Sequence, residues 1–501
     1  MNLPALTAFN SNLGISREII ELQKQMEVLQ RQLATGKKSD TYGGLGNDRL
    51  LVLSLQTRIS SVDSFQKTID MVDIRLNAVQ QHLDRAREIA AETRTDVLLP
   101  DFNSLNNGQT SAQLGADARL NEMLALLDLN VGGRYLFSGR TTDVKPTVSV
   151  DQLLNGDAAS AGFNQIVSER QQADLGAAGL GRLAVTSAAP AVSVAEDVAG
   201  HPFGLKLVSA TGTLSGTTLA GPAGAPAAID VTFSATLPQE GESVRLTFDL
   251  PDGTQEFIEL TATTASPPDA GEFTIGADEN ATAANFETAL TASLQTLGQT
   301  KLESASAMAA AQDFFFYDSA TPPQRIDGPP FDSAIALRDA TATDTLRWYQ
   351  GDNGPGSARD TAVAHVDDSL DISYGTRANE DALSTVVSSL AVLASQTFDA
   401  TDPNDKARYQ ALTQRVTTSV NFQNVQSVED LVVELGFKQV TLNDASERHT
   451  SAQQISLDLL QGSEQVNDFE VSAKLLRLQT QLQASFQTTA LVSGLSLVNF
   501  L

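Results

Sequence analysis

The 501-residue chain contains no cysteine, which excludes disulfides, thiolate metal sites and a thiol nucleophile. The redox compartment stays open, although a cysteine-free chain of this length suits work outside the cell without oxidative help. Basic residues are scarce: 33 Lys and Arg against 61 Asp and Glu leave a net charge of -28. That sign opposes binding to a phosphate backbone or an anionic lipid surface, so no nucleic-acid partner is expected. Long apolar runs are missing too. The ending LQTQLQASFQTTALVSGLSLVNFL, residues 478–501, carries no charge. Gln479, Gln481, Gln483, Gln487, Ser493 and Asn499 interrupt it, however, whereas a membrane-spanning helix needs about 20 predominantly apolar residues. No membrane insertion is expected. The start, MNLPALTAFNSNLG, lacks the basic, apolar and small-residue regions of a cleaved signal peptide.

Catalytic signals are equally sparse. The four histidines, His82, His201, His365 and His449, are too far apart in sequence for a local metal or catalytic motif. LGAAGLGR, around Gly176 to Gly181, matches neither a P-loop nor a dinucleotide fingerprint. Asp367, Asp368 and Asp371 lack EF-hand spacing and read as a solvated strand end. The expectation is a protein without catalytic, cofactor-binding or metal residues, not an enzyme.

What the chain does have is helical periodicity at both ends. Ile15, Ile19, Leu22, Met26, Leu29 and Leu33 step by fours and threes, the seam of a coiled coil. Ser16 is positioned to cap this helix and Gly36 to end it. After TYGGLGND the rhythm resumes through Ile69, Val72, Leu76, Val79, Leu83, Ala86 and Ala90, within a predicted helix over 48–95. A further helix is predicted over 111–130, stopping at Gly132-Gly133. Helix returns after Asn379 in NEDALSTVVSSLAVLA (379–394), and two further helices are predicted over 404–422 and over 427–500, the last with Val471, Leu475, Leu478, Leu482 and Phe486 as its seam. The length and the 41% hydrophobic content allow two to four domains with real cores.

Between these ends the pattern changes to alternation. Val244, Leu246, Phe248 and Leu250, then Pro251-Asp252-Gly253, then 257–260, predict a β-hairpin. Ile229, Val231, Phe233 and Leu237 predict a neighbouring strand, and Asn280 a cap for a short helix through Phe286 and Leu290. Residues 146–345 hold 25 acidic and 7 basic side chains, most of the net charge. The expected fold class is α+β: long terminal helices forming a coiled-coil or helical-bundle stem, with a β-rich α+β domain inserted in the middle. Its parts are 1–140, the N-terminal part of the stem with a terminal assembly helix over 1–40; 141–345, the acidic surface insertion; and 346–501, the C-terminal part with an assembly helix over 456–501.

The closing residues Leu491, Val492, Leu495, Leu497, Val498, Phe500 and Leu501 surround their helix rather than forming one stripe. A helix apolar on most sides must be buried on most sides. One antiparallel partner cannot cover it, which predicts burial against other subunits, with folding coupled to assembly.

Four segments carry a resemblance. LQRQLATGKKSD (29–40), GGRYLFSG (132–139), WYQGD (348–352) and LQASFQTTALVSGLSLVNFL (482–501) occur in the order found in the bacterial flagellin superfamily. Within it they resemble the hook-filament junction proteins: a helix leaving through Thr-Gly at Gly36, a glycine-aromatic exit with Tyr135, Phe137 and Gly139, a return from the insertion, and a Leu-Ser-Leu ending. The likeness covers roughly the first 140 and last 155 residues. Lys37-Lys38-Ser39-Asp40 stands where flagellins carry Arg-Ile and paired acids, which argues against the filament subunit, and the insertion is longer than in small members. The resemblance implies a structural molecule of the bacterial flagellum, extracellular, exported unfolded by type III export without a cleaved signal. It would self-assemble as a ring adaptor joining hook to filament in motility. Implied partners are identical subunits, the hook-side junction protein, flagellin and a flagellar export chaperone. The assembly interface would be the seams from Ile15 to Leu33 and from Leu475 to Phe486, with Leu491, Leu495, Leu497, Phe500 and Leu501. A flagellin-type filament subunit is the alternative, and a surface adhesin or enzyme acting through its middle domain a further one.

Overall fold

The computed structural model describes residues 4–98, 102, 109–399, 401–423 and 425–498, with side chains described from 17 to 491 within those limits. It is 53% helical and 17% strand, a mixed α+β protein. The helices are α1 (Pro4–Thr35), α2 (Arg49–Leu98), α3 (Ser111–Leu127), α4 (Val150–Asn155), α5 (Phe163–Leu175), α6 (Glu279–Leu297) and α7 (Glu303–Phe315). Beyond them come α8 (Asp381–Ser395), α9 (Asp405–Val420), α10 (Val428–Glu464) and α11 (Asp468–Val498).

Two compact units divide the chain. One comprises Met1–Val72, His365–Asp371 and Val440–Leu501, here the terminal unit; the other comprises Asp73–Ala364 and Ile372–Gln439, the central unit. The division therefore falls elsewhere than at residues 140 and 345. The reason is packing: α5 and α7, from the middle of the chain, lie against α8 and α9 from its last third.

The central unit begins its sheet structure with a two-residue hairpin, β1 (Asn130–Val131) with β2 (Arg134–Tyr135). One four-stranded sheet holds β3 (Leu183–Ala188), β4 (Ala191–Glu196), β6 (Thr217–Ala223) and β7 (Ala228–Phe233) in the order β3-β4-β7-β6, all antiparallel. The second holds β5 (Lys206–Gly212), β8 (Ser243–Asp249), β9 (Gln255–Thr263) and β10 (Glu272–Thr274) in the order β10-β9-β8-β5, with β10 parallel to β9. The predicted hairpin is β8–β9, in the register Val244↔Leu260 and Leu246↔Ile258. Its turn places Gly253 at φ +79, a conformation that glycine adopts without steric cost. The strand at Ile229, Val231 and Phe233 is real but sits in the other sheet, between β4 and β6.

Helix α6 explains how two sheets share one core: it packs against strands of both. Its apolar face, Phe286, Leu290 and Leu294, is fully buried with Val192, Val231, Leu246 and Phe248. Phe286 meets Phe233 and Phe273 edge to face at 5.5 and 5.3 Å, the arrangement that aromatic quadrupoles favour. The helix starts at Asp278, whose carboxylate accepts from the Ala281 amide at 2.8 Å; Asn280, the predicted cap, lies inside it. Around α8 the remaining helices form a second core. Every residue from Ala382 to Leu393 is buried, among α3, α5, α7 and α9, so an apolar helix is here covered from within the chain.

In the terminal unit α1 and α11 pack together. An antiparallel bridge between Lys37 and Gln465 closes one end of the pair, with Lys38 N–H donating to Glu464 O at 2.7 Å and Val466 N–H to Gly36 O at 3.0 Å. Gly36, at φ +67, ends α1 as expected, whereas Ser16 is inside the helix rather than at its cap. The single helix predicted over 427–500 is two. Asn467 interrupts it and caps α11, its side chain accepting from the amides of Phe469 and Glu470. The tip of a hairpin formed by β13 (Val363–Asp367) and β14 (Leu370–Ser373), which follow a short pair β11 (Gln324–Ile326) and β12 (Leu337–Asp339), belongs to this unit.

Candidate assembly surface

Among the described residues, 27 large hydrophobic side chains are exposed: sixteen in the terminal unit and eleven in the central one. The terminal unit is less than half as long, and only eleven of its described hydrophobic residues are buried. Scattered exposed Leu residues need no explanation, but a concentration of this kind makes the terminal unit the candidate interaction surface. Charge is distributed in the opposite sense. Residues 1–72 hold eight basic and seven acidic side chains, residues 440–501 three and six, and residues 365–371 three acidic ones, so the terminal unit carries -5 of the chain's -28.

Along the expected seam the residues differ in burial. On α1, Leu22 is buried and Ile19, Met26 and Leu29 are half-buried, while Leu33 is exposed. On α11, Val471 and Leu482 are buried and Leu475 and Leu478 half-buried. Phe486 departs from expectation. It is 50% exposed, and Ser485 and Thr489 take the inward positions instead. The reason is the alternation itself: after a step of four from Leu478 to Leu482, the next inward step is three. Leu491 is exposed at 69%. Ile15, Leu495 and Leu497 lie within helices but outside the described side chains, and Phe500 and Leu501 lie outside the described residues.

Two apolar features were not foreseen from sequence. Phe469, on the first turn of α11, is 87% exposed and held in place by the Asn467 cap. A groove of about 770 Å³ runs between α2 and α10, with buried Leu55 at its base, exposed Ile455 and Leu459 beside it, and Arg58 and Arg448 among its polar lining. The exposed i, i+4 pair on α10 was the available sequence signal.

Two of the four segments carrying the resemblance, 132–139 and 348–352, lie close together in the central unit. Thr147 bridges Tyr349, Gln350 N–H donates to Pro146 O at 2.8 Å, and Asp352 N–H donates to Ser138 O at 2.9 Å, so the chain leaves and returns side by side. Gly139 sits at φ +63, where an added Cβ would stand 2.9 Å from Cβ of Asp352. Phe137 and Trp348 are buried and Tyr135 is half-buried. Arg377, buried, reaches Asp352 at 3.3 Å, and Glu380 beside it accepts from Arg359 Nη2 at 2.8 Å. Burial pushes the Glu380 carboxyl up against the pull of that arginine.

His82 meets the Leu126 carbonyl through Nδ1 at 2.9 Å. His201 is buried beside Asp197 and Lys206, and burial lowers its pKa. His365 and His449 do converge, on either side of Phe65, with ring centroids 5.6 and 5.4 Å away; His449 bonds the Val366 carbonyl at 2.7 Å. No group of three His, Asp or Glu among the described residues could hold a metal ion. Gly176, Gly179 and Gly181 all take positive φ in a loop that leads into buried Arg182, which reaches Asp197. In a second cleft of about 600 Å³, burial pushes Asp313 up to about 6 although Arg170 Nη1 donates to it at 2.8 Å. No described helix is long and apolar enough to cross a membrane. No protein-family profile matches the chain, and no curated protein matches it.

Proposed function

We propose that this protein is a structural, self-assembling component of the bacterial flagellum, of the kind called hook-associated protein 3, forming a ring of identical subunits between hook and filament. The observation that carries this reading is the apolar surface of the terminal unit, which carries -5 of the chain's -28, whereas the central unit holds most of the negative charge. α1 and α11 would form a coiled-coil stem and pack against neighbouring subunits, including the hook-side junction protein on one side and flagellin on the other. The central unit would face outward, where its charge keeps it soluble and limits unwanted contacts. Such a role needs no turnover and no cofactor. Export through the type III apparatus would require an extended chain, which the absence of disulfides permits, with a chaperone covering the apolar termini until assembly.

Antibody labelling of isolated flagella in the electron microscope tests the reading. One band where hook meets filament is the expected result; label along the whole filament would make the chain a flagellin-type subunit, and no label on flagella would end the proposal. Deleting residues 491–501 is expected to leave a soluble, folded protein that no longer enters flagella. Normal incorporation of that truncation would remove the tail from the interface.

A further inference from the structure

We infer that the cleft lined by α5, α7, α9 and the β8–β9 turn binds a primary alkylammonium group, the chemistry of a lysine side chain or a free amine, with Asp313 as its counter-ion. The cleft lies wholly in the central unit and owes nothing to assembly. It holds about 600 Å³, and Asp313 faces it from α7 with 20% of its side chain exposed. Oδ2 of that carboxylate accepts from Arg170 Nη1 at 2.8 Å, while Oδ1 has no hydrogen-bond partner among the described residues.

The charges around the cleft fall one short. Buried Arg170 is shared, because its Nε also donates to fully buried Asp174 at 2.8 Å. The other groups are matched singly: Arg415 meets Asp252 at 2.7 Å, and Lys301 meets Glu256 at 2.6 Å. Arg325 of β11 is bound to Glu169 at 2.7 Å, and α8 beyond Asp381 contains no charged residue. Three cations therefore serve the four carboxylates of Asp174, Asp252, Glu256 and Asp313, and the missing positive charge belongs at Asp313.

The single free oxygen selects the kind of cation. A guanidinium pairs best with both oxygens of a carboxylate, and Oδ2 is already taken; an ammonium is a compact charge that needs only one. Exposed Gln312, Gln414 and Thr418 on the cleft supply acceptors for its remaining N–H groups. Half-buried Met308 and Leu337 give an aliphatic stem an apolar side to lie against. Burial raises the Asp313 carboxyl to about 6, so a proton and the ammonium compete for one carboxylate just below neutral pH.

Saturation-transfer NMR on the full chain, with n-pentylamine as probe and 1-pentanol as its neutral counterpart, tests the site. The amine is expected to bind with a dissociation constant of roughly 1 mM at pH 7.5. At pH 5, where about one Asp313 carboxyl in ten is ionised, binding should weaken about tenfold. Asp313→Asn, which keeps the shape and removes the charge, should weaken binding about tenfold at pH 7.5 and abolish the pH dependence. Gln414→Lys, at an exposed position, should also weaken it by bringing a tethered ammonium to the cleft. Nα-acetyl-lysine amide separates the two sources: equal binding extends the site to a protein lysine, and binding of the amine alone restricts it to small amines. Absence of amine binding, equal affinity for 1-pentanol, or equal affinity of wild type and Asp313→Asn would each overturn the inference.

Discussion

Asp313 shows what a single carboxyl costs in the central unit. It lies on α7 beside Arg170, yet burial raises its pKa from 3.8 to about 6, so desolvation outweighs the ion pair. A raised carboxyl pKa means the folded state holds its proton more tightly than the unfolded chain. Its contribution to stability is therefore complete below about pH 4 and is lost as pH rises through about 6. Two pKa units correspond to about 3 kcal/mol. Asp313→Asn should flatten this dependence: in urea denaturation, wild type minus variant is expected to fall by about 2–3 kcal/mol between pH 4 and pH 7. An unchanged difference would mean that the Arg170 pair keeps the carboxylate ionised.

At the scale of elements, the helix pair α1–α11 rests on a narrow seam. Leu482→Ala, at a buried position, should cost the pair about 2–3 kcal/mol. Phe486→Ala, at an exposed one, should stay within about 0.5 kcal/mol. Amide hydrogen exchange of α11 measures both, and equal effects would place Phe486 back on the seam. Most helices were legible from sequence because their apolar residues recur at three and four: α2, α3, α8 and α9 fall close to their expected limits. The break at 465–467 was missed because the apolar rhythm carries across it, although Asn467 followed by Asp468 and Glu470 is a helix-start signal. Strand partners were less legible. Alternation identifies β7 and β8 equally well, but nothing in either strand says that they belong to different sheets.

For the whole molecule, the two units differ in what holds them. The central unit buries two cores and the only tryptophan, Trp348, whose Nε1 donates to Phe315 O at 3.1 Å. The terminal unit buries only eleven hydrophobic side chains among its described residues, and small cores give little stability. Unfolding in urea should accordingly proceed in separate steps. Far-UV circular dichroism is expected to fall first, as the terminal helices melt, before Trp348 emission shifts to the red. Coincident transitions would show that the chain unfolds as one cooperative unit.

Composition and periodicity alone determined the α+β class, the helical ends, the hairpin at 244–260 and the apolar terminal segments, because each is written in local spacing and residue type. The apolar rhythm of α11 was legible in spacing, and of Val471, Leu475, Leu478, Leu482 and Phe486 it is Phe486 that is exposed. Tertiary structure decided the rest. Whether an apolar helix is covered by its own chain or left open depends on residues far away in sequence: α8 finds α3, α5, α7 and α9 around it, whereas Phe469 and Ile455 find no such cover. Spacing reports what a side chain prefers, and only packing reports whether that preference has been met.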